Sequence, residues 1–300
     1  MDGILNINKP SGMTSFAVVA KIRHFAREKR VGHAGTLDPL ASGVLPVYLG
    51  QATRLIEYAG DTTKTYHAEI EFGAVTTTFD AEGEVTSRTD TKSLERETIE
   101  RALGKFVGEI SQVPPVYSAL KQQGTPLYRL ARAGVEVTPQ ARMVKIDRLV
   151  MTEWSRPIAT VEVDCSKGTY IRSLAHDLGT VTGFGAYLKS LVRTRCGGFN
   201  IANSITLDGI VTAFTTDTYR DSLFPIDCML SNLPRVEVDD ATATNIKNGI
   251  GIALPGILTD GICRAYIGGG TFLSILRFDA EQTLWHPEKV FHSLDTTIAM

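Results

Sequence analysis

The sequence predicts an α+β protein with a mixed, largely antiparallel sheet and a small β-rich domain at its C-terminal end. Three observations lead to this fold class. The 300 residues exceed the usual size of a single domain and suggest about two. Helical and alternating apolar patterns are mixed without a regular β-α-β order, which disfavours a parallel sheet. After residue 205 acidic residues dominate and the apolar stretches become short.

The first predicted element is a helix that Ser15 caps. Apolar residues recur along it at near-helical spacing: Phe16, Val19, Ala20 and Ile22. The basic run 27–30 follows, and positive charge suits a helix C-terminus. A second helix is predicted over residues 93–106, with Gly108 just beyond its end.

Two strands are predicted from the alternation of apolar and polar residues. In 66–72 every second residue is apolar, which places Tyr66 on the buried face of a half-buried strand. Residues 159–165 repeat this pattern. The second strand leads the chain directly to Lys167, Tyr170 and Arg172, so the sheet is expected to position these three side chains.

A domain boundary is predicted near residue 230, because the motifs cease earlier and Pro225 and Pro234 punctuate a connecting segment. The predicted domains are therefore residues 1–230 and residues 231–300. In the second domain the sequence around Val236 predicts a strand, Asp239 or Asp240 is expected to cap a short helix, and 265–278 is typical of a Gly-interrupted hairpin.

The composition is that of an ordinary globular protein, with 43% hydrophobic and 21% charged residues. No run of about 18 apolar residues and no basic-then-apolar leader is present, so the sequence predicts neither membrane insertion nor secretion. The four cysteines are widely spaced and form no Cys-x-x-Cys pair, which indicates neither a zinc site nor a redox motif. Buried, reduced thiols in a cytoplasmic protein are expected.

The net charge of −2 is distributed unevenly along the chain. Residues 1–60 hold 7 Lys/Arg against 4 Asp/Glu, and residues 111–200 hold 12 against 6. The final hundred residues reverse this balance, with 6 against 12. Basic residues therefore concentrate where the motifs lie, as a phosphate-binding surface requires, although solvated charged faces would produce the same count.

Residues 32–45 (GHAGTLDPLASGVL) enclose Asp38 in small, apolar and turn-forming residues. Glycines allow the chain to turn tightly and to approach another molecule closely, and Pro39 fixes the backbone directly after the acid. The carboxylate is therefore expected to be rigidly placed. Its local chemistry leaves four roles open: helix or turn cap, metal ligand, general base and nucleophile.

This segment resembles the nucleophile segment of the TruB-type tRNA pseudouridine synthases. Further segments are similar to those of the same family in order and spacing: 8–15 (NKPSGMTS), 114–121 (PPVYSALK), 124–128 (GTPLY) and 165–173 (CSKGTYIRS). The resemblance covers residues 1–230 well. It implies that Asp38 is the nucleophile, that Arg172 pairs with this carboxylate, and that Tyr66 stacks on the uracil with its hydroxyl near C5.

The resemblance also implies a set of substrate-binding residues: Lys9, His33, Asp80, Tyr170, Lys189, Leu191 and Arg193. His33 would contact the region around the flipped nucleotide, Tyr170 and Leu191 would line its pocket, and Lys189 and Arg193, together with Arg195, would face phosphates. One family segment departs from its pattern, because Thr77 stands where an acid is usual, while Asp80 and Gly83 remain.

The implied reaction is the conversion of uridine 55 in the T loop of tRNA to pseudouridine, on a flipped-out nucleotide, without cofactor or metal. The tail resembles a PUA-type RNA-binding module, and a plain structural appendage is the alternative. The expected enzyme is a monomer. It is expected to need no guide RNA, because the chain has neither a Lys/Arg-rich tail nor spare length. Three rivals remain: a tRNA-binding protein without isomerase activity, a guide-dependent synthase, and a metal-dependent hydrolase using Asp38.

Overall fold

The computed structural model describes residues 1–59, 62–118, 120–122, 124–133, 135, 137–254 and 261–291. Ala119 of the central motif lies outside the described residues. Up to residue 230 the strands are, in chain order, β1 Gly3–Lys9, β2 Val31–His33, β3 Ser42–Leu49, β4 Lys64–Phe72, β5 Ala74–Thr76, β6 Val85–Arg88, β7 Gly108–Gln112, β8 Lys121–Gln122, β9 Thr125–Pro126, β10 Arg142–Ser155, β11 Ile158–Cys165, β12 Ala186–Cys196, β13 Phe199–Asn200, β14 Ile205–Thr206 and β15 Leu223–Phe224.

One large sheet organises this part of the chain, with strand order β14-β1-β3-β12-β4-β11-β10-β7. Two of its pairings are parallel, β1 with β14 and β12 with β3, and the others along this path are antiparallel. The helices of the same part are α1 Ser15–Ala26, α2 Arg96–Leu103, α3 Leu127–Arg132, α4 Ile171–Thr182 and α5 Leu207–Thr215. The predicted α+β class with a mixed, largely antiparallel sheet is confirmed.

Both predicted strands are present at the centre of this sheet. Tyr66 is 7% exposed and lies on the buried face of β4, whereas the neighbouring His67 is exposed. The predicted helix over 93–106 is shorter in the structure. Helix α2 runs from Arg96 to Leu103, and a 3-10 turn follows at Gly104–Phe106. The prediction that Ser15 caps α1 is wrong: Thr14 accepts the capping hydrogen bond from the amide of Ala17. Ser15 is the first helical residue, and its hydroxyl bonds the loop described below.

Strand β3 is buried on both faces. Along β3, Leu45 and Val47 belong to the core under the helices, whereas Val44 and Tyr48 belong to a second cluster on the opposite face. Alternate residues of a strand point to opposite faces, so each face requires its own cover. The second face is covered by the C-terminal part of the chain.

That part forms a separate four-stranded sheet with order β16-β17-β18-β19. Its elements are β16 Arg235–Glu237, α6 Asp240–Lys247, β17 Ile262–Ile267, β18 Thr271–Asp279 and β19 Leu284–Val290. The predicted strand at 236, the helix capped by Asp239 and the hairpin are confirmed. The boundary at residue 230 stays a prediction.

The two sheets share an apolar cluster. Tyr266, Phe272, Ile275 and Phe291 pack there together with residues of β1 and β3. Arg54 extends this contact, because its guanidinium donates to the carbonyl of Val290 at 2.7 Å and lies 4.7 Å from the centre of the Phe291 ring. Among the described helices, none has both the length and the apolar character that crossing a membrane requires.

Candidate active site

A cavity of about 330 Å³ opens between the loop that joins β2 to β3, strands β4 and β12, and the N-terminal end of α4. Its volume lies within the range of small-molecule pockets. The lining residues are Gly35, Thr36, Leu37, Asp38, Lys64, Tyr66, Leu120, Arg142, Gly168, Thr169, Tyr170, Ile171, Arg172, Leu191 and Arg193. Six of the predicted site residues therefore meet in one place.

The loop that carries Asp38 is tied down on both sides of the carboxylate. The Ser15 hydroxyl donates to the carbonyl of Leu37 at 3.0 Å and accepts from the Leu37 amide at 2.9 Å. The amide of Gly12 donates to the carbonyl of Pro39 at 2.8 Å. Bonds to both neighbours of Asp38 leave its backbone little freedom, which agrees with the rigid placement expected from the sequence.

Two glycines allow this loop to pass close to β12. At Gly43, with φ of +101°, a β-carbon would lie 2.2 Å from the carbonyl oxygen of Arg193. Gly35 has φ of +75°, and its carbonyl accepts from the Arg193 guanidinium at 2.9 Å. Any larger residue at position 43 would force the parallel pair of β3 and β12 apart and displace the Asp38 loop with it.

Asp38 lies opposite Arg172, with 2.9 Å between Oδ2 and Nε. The Nε–H is not aligned as a hydrogen bond to a described residue, so the contact is an ion pair. The Arg172 side chain is 6% exposed, and its Nη1 lies 3.2 Å from the buried Asp80 carboxylate. Its Nη2 donates to the carbonyl of Tyr117 at 2.9 Å. Arg172 thus bridges two carboxylates from a fixed position.

Burial raises the pKa of the Asp38 carboxyl above its ordinary value, and the neighbouring Arg172 opposes that rise. The Asp38 side chain is 37% exposed, and this exposed part borders the cavity. A carboxylate with one open side and an arginine on another can meet a substrate while it stays paired.

Tyr66 and Arg193 lie on the neighbouring strands β4 and β12. Burial raises the pKa of the Tyr66 phenol to about 12, although the positive charge of Arg193 opposes the rise. The expectation that Arg193 faces phosphates is wrong, because the side chain is fully buried. Its Nε donates to the carbonyl of Val44 at 2.7 Å. Arg193 therefore forms part of the cavity wall.

Tyr170 lies at the N-terminal end of α4, where the buried Gln112 of β7 fixes its backbone. The Gln112 amide oxygen accepts from the amide of Tyr170 at 2.7 Å, and its nitrogen donates to the Tyr170 carbonyl at 3.0 Å. This pair of bonds connects the edge strand β7 to the cavity. Gln112 carries no motif, so sequence reasoning missed it.

Four predicted site residues do not line the cavity: Asp80, which pairs with Arg172, and the three residues that follow here. The Lys9 ammonium is buried beneath the Asp38 loop and donates to the carbonyl of Pro10 at 2.9 Å. Burial lowers the pKa of Lys9 to about 8, with the Asp38 charge opposing. His33 ends β2, where burial lowers its pKa and the charge of Arg193 lowers it further. Lys189 pairs with Glu71 at 3.2 Å on the sheet.

Arg142 is the cavity residue that sequence reasoning missed most clearly. It is half-buried at the start of β10, and no carboxylate among the described residues pairs with it. By contrast, Arg195 pairs with Asp164 at 3.4 Å. The positive balance of 111–200 includes Arg142, but the count alone could not distinguish it from paired arginines.

The described residues contain no group of three His, Cys, Asp or Glu side chains arranged to hold a metal ion. Cys165, Cys196 and Cys263 are buried and unpaired, and Cys228 is partly exposed. The cavity lining offers one carboxylate, three arginines, one lysine, two phenols and four aliphatic side chains as its chemistry.

Comparisons with known proteins identify relatives of this arrangement. Residues 23–171 match the TruB family pseudouridylate synthase (N terminal domain), and residues 172–231 match the tRNA pseudouridylate synthase B C-terminal domain. A protein named tRNA pseudouridine synthase B from Dehalococcoides mccartyi (strain CBDB1) is 47% identical over 97% of both chains. A protein of the same name from Clostridium kluyveri is 43% identical over 92% of this chain and 95% of its own.

Two solved structures with a similar fold are chains of multicomponent complexes. A chain of a Cbf5-Nop10-Gar1 complex superposes with a TM-score of 0.77 at 27% identity, covering 98% of this chain and 86% of the other. A chain of an H/ACA RNP bound to a substrate RNA containing 2'-deoxyuridine has a TM-score of 0.75 at 25% identity, covering 97% and 85%.

Proposed function

The chain belongs to the TruB family of pseudouridine synthases, and we propose that it converts uridine 55 in the T loop of tRNA to pseudouridine, with Asp38 as the nucleophile. The substrate is inferred from relatives named tRNA pseudouridine synthase B, which match nearly the whole chain. The observation that carries the nucleophile assignment is the ion pair between Asp38 and the buried Arg172 at the wall of the cavity.

The reaction rearranges bonds within one nucleotide. The bond from N1 of uracil to C1′ of the ribose breaks, and a bond from C5 to the same C1′ forms. C5 loses a proton and N1 gains one, so nothing is oxidised and no water is consumed. The enzyme must therefore hold the sugar, let the base turn and keep water out, which a small cavity with apolar walls supports.

Asp38 serves this reaction in one of two ways: it attacks C1′ of the ribose, or it adds to C6 of the base. Both routes need the ionised carboxylate. Burial favours the protonated form, and Arg172 opposes this by placing a cation 2.9 Å from the oxygen. The role of Arg172 is thus to keep Asp38 ionised in a site that excludes water.

Tyr66 provides a ring on which uracil stacks and a hydroxyl close to C5. Because its pKa is raised to about 12, the phenol is protonated near neutral pH. It therefore takes part in the transfer of the C5 proton as a relay that donates and accepts, and not as a free phenolate. Tyr170 and Leu191 complete the walls around the base.

A uridine within a folded T loop is stacked, so it reaches the cavity only when it is flipped out. The half-buried Arg142, which no described carboxylate pairs, is suited to hold a phosphate of the flipped nucleotide. His33 and Lys189, which lie outside the cavity, remain candidates for contacts with the surrounding RNA. Lys9 supports the Asp38 loop from below.

The test is to incubate the purified protein with unmodified tRNA and to map pseudouridine by carbodiimide-stop primer extension. A stop at position 55 is expected with the wild-type protein, without added metal or nucleotide, and none with Asp38→Asn. A tRNA with cytidine at position 55 serves as the substrate control. A stop elsewhere would refute the assigned position, and activity of Asp38→Asn would refute the nucleophile.

A second candidate is a synthase that works only within a ribonucleoprotein, because the structural neighbours belong to Cbf5 and H/ACA assemblies. Their identities of 25% and 27% are well below the 47% of the tRNA pseudouridine synthase B relative. The same assay discriminates between the two, since a ribonucleoprotein enzyme should not modify tRNA as a purified protein alone.

A further inference from the structure

The turn that joins β5 to β6 contains a bulky residue in a backbone conformation that favours glycine. Phe79 has φ of +63°. An aromatic residue in this left-handed region is strained, and such strain persists only where surrounding contacts impose it. Asp80, which pairs with Arg172, is the next residue in the chain.

The ring of Phe79 stacks on the imidazole of His176, which belongs to α4. The two rings lie face to face, with centroids 3.9 Å apart and planes inclined by 15°. Burial lowers the pKa of His176 below its usual value, which favours the neutral ring. Its buried Nδ1 has no hydrogen-bond partner among the described residues. Among the described residues, the contact that this ring makes is therefore the stack on Phe79.

His176 and Arg172 lie four residues apart on α4 and so share one face of this helix. Both reach the same turn: His176 contacts the ring of Phe79, and Arg172 contacts the Asp80 carboxylate at 3.2 Å. Arg172 also donates to the carbonyl of Thr78 at 3.3 Å. The turn thus meets α4 at three successive residues.

The other side of the turn is bonded to β12. The carbonyl of Phe79 accepts from the amide of Leu188 at 2.9 Å, and the amide of Ala81 donates to the Leu188 carbonyl at 3.0 Å. These two bonds flank Asp80 in the chain. The turn is therefore bonded to β12 on one side and contacts α4 through the ring stack and Arg172 on the other.

We propose that the stack of Phe79 on His176 positions Asp80 against Arg172, and thereby holds the Arg172 guanidinium beside Asp38. The inference rests on the proposed role of Asp38. Phe79 and His176 are positioning residues, since neither lines the cavity. Loss of either ring should let the turn move relative to α4, so that Arg172 no longer stays aligned with the nucleophile.

The first experiment measures single-turnover rates of His176→Ala, Phe79→Ala and the double variant on saturating tRNA. Each single variant should be about tenfold slower, equivalent to about 1.4 kcal/mol of barrier. The double variant should be no slower than either single one, because both remove the same contact. His176→Phe keeps a ring for stacking and should retain most of the rate, while tRNA affinity should stay unchanged in all of them.

Phe79→Gly separates positioning from stability. Glycine adopts the left-handed backbone without strain, so this variant should keep its melting temperature while it loses rate like Phe79→Ala. Tyr219→Leu, which disrupts the remote contact with Phe214, is the matched control and should leave the rate unchanged. The proposal is overturned if Phe79→Gly and His176→Ala both react at the wild-type rate, or if the two single effects simply multiply in the double variant.

Failure of the proposed function would look different. If the wild-type protein forms no pseudouridine, or if Asp38→Asn remains active, then the nucleophile assignment fails and the stack has no reaction to support. If the wild-type protein is active, Asp38→Asn is inactive and His176→Ala is unimpaired, then only the role of the stack is refuted.

Discussion

Arginine–carboxylate pairs occur both in the cleft of the candidate active site and in the C-terminal sheet, but their surroundings differ. In the cleft Arg172 is 6% exposed and lies 2.9 Å from Asp38 and 3.2 Å from Asp80. In the C-terminal sheet Arg277 is 56% exposed and pairs with Glu288 on the neighbouring strand at 2.9 Å. The difference lies in the arginine: Arg277 is screened by water, whereas Arg172 is shielded from it and its charge acts more strongly on the neighbouring carboxylates.

The same comparison indicates which cations remain available for RNA. Most basic residues of the C-terminal part lie within 4 Å of a carboxylate: Arg235, Arg264, Arg277 and Lys289. In the cleft, Arg142 has no such partner among the described residues. Arg142 is therefore a cation that is available at the cavity, whereas most cations of the C-terminal part are already paired. We expect the cleft to bind phosphate and the C-terminal domain to act mainly as a cover for the large sheet.

Deleting residues 231–300 should have the largest effect, because it removes Tyr266, Phe272, Ile275 and Phe291 from the shared cluster. Burial of a large apolar side chain contributes about 1.5–3 kcal/mol. Four such side chains amount to a large part of the roughly 5–15 kcal/mol that stabilises a domain. We therefore expect aggregation or a strongly lowered melting temperature, measured by light scattering and calorimetry.

The matched variant for this deletion is Phe272→Ala in the full chain. It should lower the free energy of unfolding by about 3–5 kcal/mol without changing the rate on saturating tRNA. A truncated protein that is soluble and melts like the wild type would contradict the covering role and would favour a separate RNA-binding module.

Asp38→Asn tests the cleft side of the comparison. The amide keeps the shape of the carboxylate but lacks the nucleophilic charge, so the rate should fall by at least about a thousandfold. tRNA affinity, measured by filter binding, should change little. The melting temperature should also be nearly unchanged, because Arg172 keeps its pair with Asp80. Full activity would end the covalent interpretation.

Short-range patterns predicted much of this fold and site. Period-two alternation placed Tyr66 on the buried face of β4, and the long motif around Asp38 led to the loop that meets Arg172. The sequence could not decide whether Thr14 or Ser15 caps α1, because both carry a hydroxyl. In the structure Ser15 bonds Leu37 of the loop, and Thr14 caps the helix. Such a decision depends on a residue that is distant in sequence.

The burial of Arg193 and the stack of Phe79 on His176 were missed because they too depend on contacts between residues that are distant in sequence. Arg193 lies between two basic neighbours in the sequence, yet the close approach of Gly43 buries it against β3. The stack of Phe79 on His176 joins residues about a hundred positions apart and has no periodic signature. Burial of a charge and contact between distant turns depend on the assembled sheet, which local patterns do not describe.

Arg172→Lys should reduce the rate by about a hundredfold, because lysine keeps the charge but cannot reach two carboxylates with a planar fork.

Arg172→Met should also shift the pH profile of the rate. Burial raises the pKa of Asp38 and Arg172 opposes this, so removing the cation should move the loss of rate on acidification to higher pH. Single-turnover rates between about pH 5 and 9 measure this. An unshifted acid limb would argue against the ion pair.

Tyr66→Phe should have a smaller effect, about tenfold, since the ring still stacks on uracil while the hydroxyl is lost. Binding of tRNA should persist. Tyr66→Leu should weaken both binding and rate, and this difference separates the ring from the hydroxyl. A wild-type rate for the phenylalanine variant would show that proton transfer from C5 does not involve Tyr66.

The smallest expected effect compares one cation from each region. Arg142→Gln removes a half-buried charge at the cleft, and Lys247→Gln removes an exposed charge from α6. If Arg142 contacts a phosphate, its loss should weaken tRNA binding about three- to tenfold and reduce the slope of log K against log salt by about 0.7–0.9. Lys247→Gln should change neither quantity. Equal effects of the two substitutions would mean that the C-terminal domain shares the RNA surface. If Arg142→Gln has no effect on binding, then Arg142 does not contact a phosphate.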